Sequence, residues 1–219
     1  MFLCVKLQIL LAQFFLQFMG KLILVRHGES VGNRDRMFAV NPQALALTEL
    51  GYRQAEQAGQ RIVQLYQAEL VVSSPYVRAR ETARVIAEAL DVPLAIEDSL
   101  HERLVGVHQG QSYDSIFTAP GYDAKRPWTW QPQGGESFEE VKARVGAALD
   151  QLARLHPARD VVVVSHGGVM SALWAHVTGD WESVHMAPNC GFVLIEHGAH
   201  GYSMPQVIGD AGCEQHTGG

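Results

Sequence analysis

Two histidines follow directly on apolar runs. His27 comes at the end of Leu22-Ile23-Leu24-Val25-Arg26 and leads into Gly28-Glu29-Ser30; His166 follows Val161-Val162-Val163-Val164-Ser165 and leads into Gly167-Gly168. A neutral imidazole nitrogen near pH 7 is a competent nucleophile toward phosphorus and can form a covalent intermediate, and a second histidine, if protonated, stabilises charge. A transferring phosphoryl group is a dianion with spreading negative charge, so its transfer depends on positioning and electrostatics. Arginine offers a planar fork of donors matched to phosphate oxygens. Arg26, and Arg78 in Ser73-Ser74-Pro75-Tyr76-Val77-Arg78, are the candidates. Gly28 and Gly167 would let backbone approach an anion, and a helix starting after Gly167 would aim N–H groups at it. A carboxylic acid could then protonate a leaving alcohol and later deprotonate water. A di-histidine metal site fits less well, since the arginines repel a cation and no carboxylate stands at ligand spacing from either histidine.

For these groups to meet, the elements must bring distant segments together. Leu22–Val25, Leu70–Ser73 and Val161–Val164 read as short buried strands, with a further strand at Pro93–Ile96 and late strands at Phe192–Glu196 and Ser203–Ile208. Helices are predicted from Thr48, a natural N-cap, to about Tyr66; from Tyr76 to Leu90 after Ser74-Pro75; from the capping box Ser137-Phe138-Glu139-Glu140 to about Leu155; and after Gly168 to about Val177. The alternation predicts an α/β fold: a mainly parallel central sheet with helices on both faces, and an irregular insertion from about Leu100 to Trp130 over the active-site edge, with one short helix near Tyr113–Phe117. In such sheets ligands bind beyond the carboxyl ends of the strands, where the Arg-His-Gly, Ser-Ser-Pro and Ser-His-Gly runs all fall.

The 219 residues allow one domain, and 47% hydrophobic with 18% charged residues allows a sizeable core. With a formal net charge of −6 and scattered arginines, a nucleic-acid partner is not expected. Cys4, Cys190 and Cys213 form neither a zinc spacing nor a disulfide framework, and read as reduced thiols of a cytoplasmic protein. Residues 1–18 are an apolar extension with Lys6 as its only charge; three glutamines interrupt it and no small-residue cleavage site follows. Met19 is expected to be the natural start, with an anchor as the alternative for 1–18. Residues 19–219 are read as a single domain, with no membrane partner, and a homodimer is the expected assembly.

The chain resembles the histidine phosphatase, or phosphoglycerate mutase-like, superfamily. The resemblance rests on Leu24-Val25-Arg26-His27-Gly28-Glu29-Ser30 with Asn33, Leu47-Thr48 with Gly51 and Gln54-Ala55, Ser73-Ser74-Pro75 with Arg78-Ala79 and Thr82-Ala83, Leu100 with Glu102, Gly106 and Gly110, Gly134-Gly135-Glu136-Ser137, and Val164-Ser165-His166-Gly167-Gly168. It runs from Gly20 to about Ile208. It implies that His27 carries the phosphoryl group and that Arg26, Arg78 and His166 hold its oxygens, with Asn33 and the Gly167 N–H assisting. It implies Glu102 as proton donor, and no metal or organic cofactor. Ser30 is read either as a phosphate contact or as a helix cap, and Glu29 as a loop anchor. His101 and His108 are read as solvated or supporting, with His108 a candidate for the substrate entrance. Tyr113, Phe117, Trp128 and Trp130 hint at a partly apolar pocket, although tryptophans more often pack.

The expected reaction is hydrolysis of small phosphate monoesters through a phosphohistidine on His27. The alternatives are a cofactor-dependent phosphoglycerate mutase and a non-catalytic phospho-ligand-binding protein on the same fold. Mutases of the resembled family have a Tyr where Val105 stands, and an Asn-Lys pair where this chain has Ser112-Tyr113. Lys125-Arg126 is the only candidate for their paired arginines further on. Losing cations that retain a bisphosphate favours water as the acceptor.

Overall fold

The computed structural model describes residues 19–208. The expectations for residues 1–18, and those from Gly209 onward, lie outside the described residues.

Strand β1 (Gly20–Arg26) pairs in parallel with β4 (Asp160–Ser165), which pairs in parallel with β2 (Ala68–Ser73), and β2 in turn with β3 (Leu94–Ile96). On the other side of β1 lie β5 (Phe192–Gly198), antiparallel to it, then β6 (Gly201–Tyr202); β7 (Gln206–Ile208) also pairs with β5. The valine run of β4 takes the middle of the sheet, where both faces are covered and β-branched residues pack best.

Successive strand residues face opposite sides, so each run supplies two cores. Leu22, Leu24, Val161, Val163, Val193 and Ile195 meet α4 (Phe138–Leu155) and α5 (Gly167–Thr178). Ile23, Val25, Val71, Val162, Val164 and Leu194 meet α2 (Glu49–Leu65) and α3 (Val77–Leu90). The predicted caps are present: Thr48 Oγ1 accepts from Gly51 N at 3.1 Å, and Ser137 and Glu140 form a reciprocal capping box. Among the described residues no helix is long and apolar enough to cross a membrane.

Three features differ from expectation. A single helical turn, α1 (Val31–Arg34), stands directly after the His27 loop; four residues are too few to show an apolar period. The late strand starts only at Gln206, because Pro205 has no N–H to give a ladder. The insertion holds two 3-10 turns, Gly106–His108 and Tyr113–Ile116, with a third, Asp98–Leu100, leading into it, rather than one short helix.

Candidate active site

The carboxyl ends of β1, β4 and β2 lie side by side: Arg26 is in register with Ser165, and Ser73 with Val164. The chain leaves each strand there. His27 N donates to Ser165 O at 2.9 Å and Ser74 N to Val164 O at 3.0 Å, so the His27 and Ser74 turns are tied to the same central strands. His166, at the N-cap of α5, follows β4 directly. The imidazoles of His27 and His166 consequently lie 5.1 Å apart between centroids, at 64°.

His27 is 3% exposed. Its Nδ1 lies 2.7 Å from the Gly28 carbonyl, which fixes the proton on Nδ1 and leaves the Nε2 lone pair free to accept. Arg78 Nε donates to that Nε2 at 3.0 Å. Burial, with the positive charges of Arg78 and Arg26, holds His27 well below the ordinary imidazole range. His166 is held low by burial and by the charges of Arg78 and its neighbours, so both rings are neutral in the free protein; its Nε2 shares a 2.7 Å hydrogen bond with Ser74 Oγ.

Arg26 donates from Nη1 to Ala187 O at 3.1 Å, while its Nε is buried without a hydrogen-bond partner, as is His166 Nδ1. A buried, unpaired cationic donor is costly unless an acceptor reaches it. Burial lowers the guanidinium pKa values of Arg26 and Arg78, and the carboxylate of Glu102 opposes it. These are two desolvated cations beside a neutral nucleophile, the field a phosphate dianion would complete. Glu102 Oε1 accepts from Arg103 N at 2.8 Å and its Oε2 from Gly168 N at 3.3 Å, which aims the carboxyl over the α5 N-terminus.

Arg26, His27, Ser30, Asn33, Arg78, Glu102 and Gly167 all line one cavity of about 510 Å³. His166 lies just beneath it, fully buried. Gly28 serves another purpose than the expected approach to an anion. Its N–H is taken by Thr82 Oγ1 at 3.0 Å, and a Cβ there would run into the Gly51 carbonyl, so the missing side chain lets α2 close on the loop. Ser30 caps α1: its N and Oγ both donate to Asn33 Oδ1, at 3.2 and 3.0 Å. Glu29 anchors the loop as expected, accepting from Thr48 Oγ1 at 2.8 Å. Trp128 and Trp130 do not line the cavity. Trp128 stacks on Trp181, and buried Trp130 lies behind Arg103. His108 is buried against Ser115 and Trp130 and does not line the cavity.

Some supporting residues carried no signal of their own. Asn189 Nδ2 donates to His27 O at 2.8 Å from a loop without periodicity or motif. Thr82 and Ser74 stand inside the sequence motifs, but only the fold shows that they hold Gly28 N and His166 Nε2.

A three-layer α/β protein with two adjacent neutral histidines, and a buried and a half-buried arginine at one strand-end cavity, is the class these observations define. A sequence profile of the histidine phosphatase superfamily (branch 1) matches residues 22–207, and the chain belongs to that superfamily. It is 33% identical over 170 residues to a metal-independent phosphoserine phosphatase of Arabidopsis thaliana, covering 72% of this chain and 68% of that one. It is 30% identical over 161 residues to phosphoglycerate mutase-like protein 4 of the same plant, covering 71% and 70%. The structure of a mycobacterial glucosyl-3-phosphoglycerate phosphatase complexed with VO3 superposes with a TM-score of 0.71 at 30% identity, over 80% of this chain and 90% of that one.

Proposed function

We propose that the protein hydrolyses small-molecule phosphate monoesters by two in-line transfers. Nε2 of His27 attacks phosphorus, the bond to the ester oxygen breaks, and the departing alcohol takes a proton from Glu102. Water then attacks the phosphohistidine, losing its proton to the Glu102 carboxylate as the P–N bond breaks, and orthophosphate leaves with Glu102 again protonated. Arg26, Arg78 and His166 hold the equatorial oxygens, assisted by Asn33 and the N–H of Gly167. The observation that carries this reading is the neutral His27 with its lone pair turned to the Arg78 guanidinium beside an unpartnered Arg26 Nε.

Water, rather than a second hydroxyl, is the acceptor because the mutase reading needs cations further out. Lys125 and Arg126 are exposed and outside the cavity lining, and Arg126 is turned to Asp123. Val105 and Tyr113 line the cavity at the positions where the mutase pattern departs. The same reading takes residues 19–219 as one catalytic domain, cytoplasmic and homodimeric, which sedimentation of the purified full chain would check for the assembly. Acid-quench trapping should yield an acid-labile phosphoenzyme that His27→Ala abolishes together with turnover. Full hydrolysis by His27→Ala would overturn the mechanism, and 3- to 2-phosphoglycerate interconversion exceeding phosphate release would overturn the choice of water.

A further inference from the structure

A few charged side chains line the cavity, and the rest of its lining is largely apolar. Among the described residues, its charged lining side chains are Arg26, Arg78, Glu102 and Arg103. The first three belong to the phosphoryl site. Arg103 is occupied: Nε donates to Glu136 O at 2.7 Å and Nη2 to Trp130 O at 3.0 Å. Its guanidinium carbon lies 4.2 Å from the Phe138 ring centroid and 5.5 Å from that of Trp130. This arginine is part of the wall rather than a hand extended to a ligand. The remaining lining is dominated by aliphatic and aromatic side chains.

That wall is built rather than a chance gap between loops. The segment after α1 and the insertion are joined by backbone hydrogen bonds, Phe38 N to Gln111 O at 2.8 Å, Gly110 N to Phe38 O at 2.9 Å and Tyr113 N to Arg36 O at 2.9 Å. The rings of Phe38 and Tyr113 meet at 4.7 Å across the join. At about 510 Å³ the cavity falls in the range that encloses a whole small molecule, well beyond a phosphoryl group alone.

We propose, resting on the phosphatase reading above, that the site selects phosphate esters of uncharged, apolar alcohols, whose alkyl or aryl body is held by Phe38, Leu45, Val105, Ile116, Phe117 and Phe138. A leaving group bearing a carboxylate finds on these walls only the Arg103 guanidinium, whose Nε and Nη2 are already given to backbone carbonyls. It would give up its hydration for at most a share of that guanidinium, which a buried carboxylate cannot do cheaply. An apolar body gains from the same walls by leaving water. This separates the chain's preference from the carboxylated compounds in its relatives' names.

The test compares primary alkyl esters, so that leaving-group reactivity does not decide the outcome. On the full chain, kcat/KM for 2-phenylethyl phosphate should exceed that for O-phosphoserine and 3-phosphoglycerate by about 100-fold, the discrimination that a few apolar contacts can supply. Phe117→Lys, at an exposed position of the wall, should lower the first value and raise the 3-phosphoglycerate value, narrowing the ratio by about 10-fold. Equal or greater kcat/KM for the carboxylated esters, with hydrolysis still dependent on His27, would overturn the specificity and leave the phosphatase reading intact. No His27-dependent hydrolysis of any of the three would overturn both.

Discussion

At the scale of single residues, the site depends on one proton's position. The 2.7 Å contact from Nδ1 to the Gly28 carbonyl decides that Nε2 of His27 is the nucleophile, and burial with the neighbouring arginines keeps that nitrogen unprotonated. The Cε1–H resonance of His27 should therefore show no titration between pH 8 and pH 6, where an ordinary imidazole with a pKa of about 6.5 would move; a midpoint inside that window would contradict the assignment. Glu102 makes the complementary prediction. Glu102→Gln cannot supply a proton, so kcat/KM for an alkyl phosphate, which reports transfer to His27 and not the shared hydrolysis step, should fall by about 10²–10⁴-fold. The loss should be much smaller for 4-nitrophenyl phosphate, whose alcohol departs as a stable anion. Equal losses for both esters would mean that Glu102 does something other than protonate the leaving group. These two residues were legible in the sequence because each stands in a motif at a strand end or just before a glycine-rich loop. Asn189, which fixes the His27 backbone carbonyl, was not: its neighbours have no period and its partner is 162 positions away.

At the scale of elements, the strands and long helices were readable because apolar period, caps and valine content all point the same way along each segment. The insertion was not, because its order comes from side chains of other elements. Glu102 is the instructive case, for its loop is held from α4. Arg144 forms a two-pronged pair with Glu136, Nε to Oε1 at 3.0 Å and Nη2 to Oε2 at 2.9 Å, and its Nη1 donates to the carbonyls of Ser99 and His101. Glu136 Oε2 in turn accepts from Leu104 N at 3.0 Å, so one clasp grips the chain on both sides of Glu102. Burial works upward on the Glu136 carboxyl, but the Arg144 and Leu104 hydrogen bonds outweigh it and keep the group ionised. A lysine has no fork to span these acceptors. Arg144→Lys should lower kcat/KM for an alkyl phosphate by about 10- to 100-fold, the usual result of displacing a catalytic group by about 1 Å. If Arg144 acts through Glu102, 4-nitrophenyl phosphate hydrolysis will fall much less. A uniform loss across both esters would reduce the clasp to a stability element.

At the scale of the whole molecule, the features that make His27 a nucleophile also set how the fold responds to acid. His27 and His166 are held neutral in the native state, both chiefly by burial, and His197 in β5 is lowered by burial with Asp160 opposing. In the unfolded chain each would titrate near 6.5. Below that pH the unfolded state binds protons that the native state refuses, so stability falls as pH falls, by up to about 1.4 kcal/mol per pH unit for each such histidine. Carboxylates held ionised by their partners act in the same direction but lower down: Asp150, hydrogen-bonded to His176 and Tyr202, loses its stabilising contribution only as pH drops through the carboxylate range. Two acid-sensitive windows follow, the upper one belonging to histidines. Urea melts at pH 7, 6 and 5 should show a steady loss of unfolding free energy in that upper window. His197→Leu, which removes a buried imidazole outside the cavity lining, should flatten the slope whatever it does to stability at pH 7. Stability independent of pH between 7 and 5 would mean that the three rings take up protons in the folded protein as readily as in the unfolded chain. His27 would then lose its lone pair to a proton as pH falls through about 6.5.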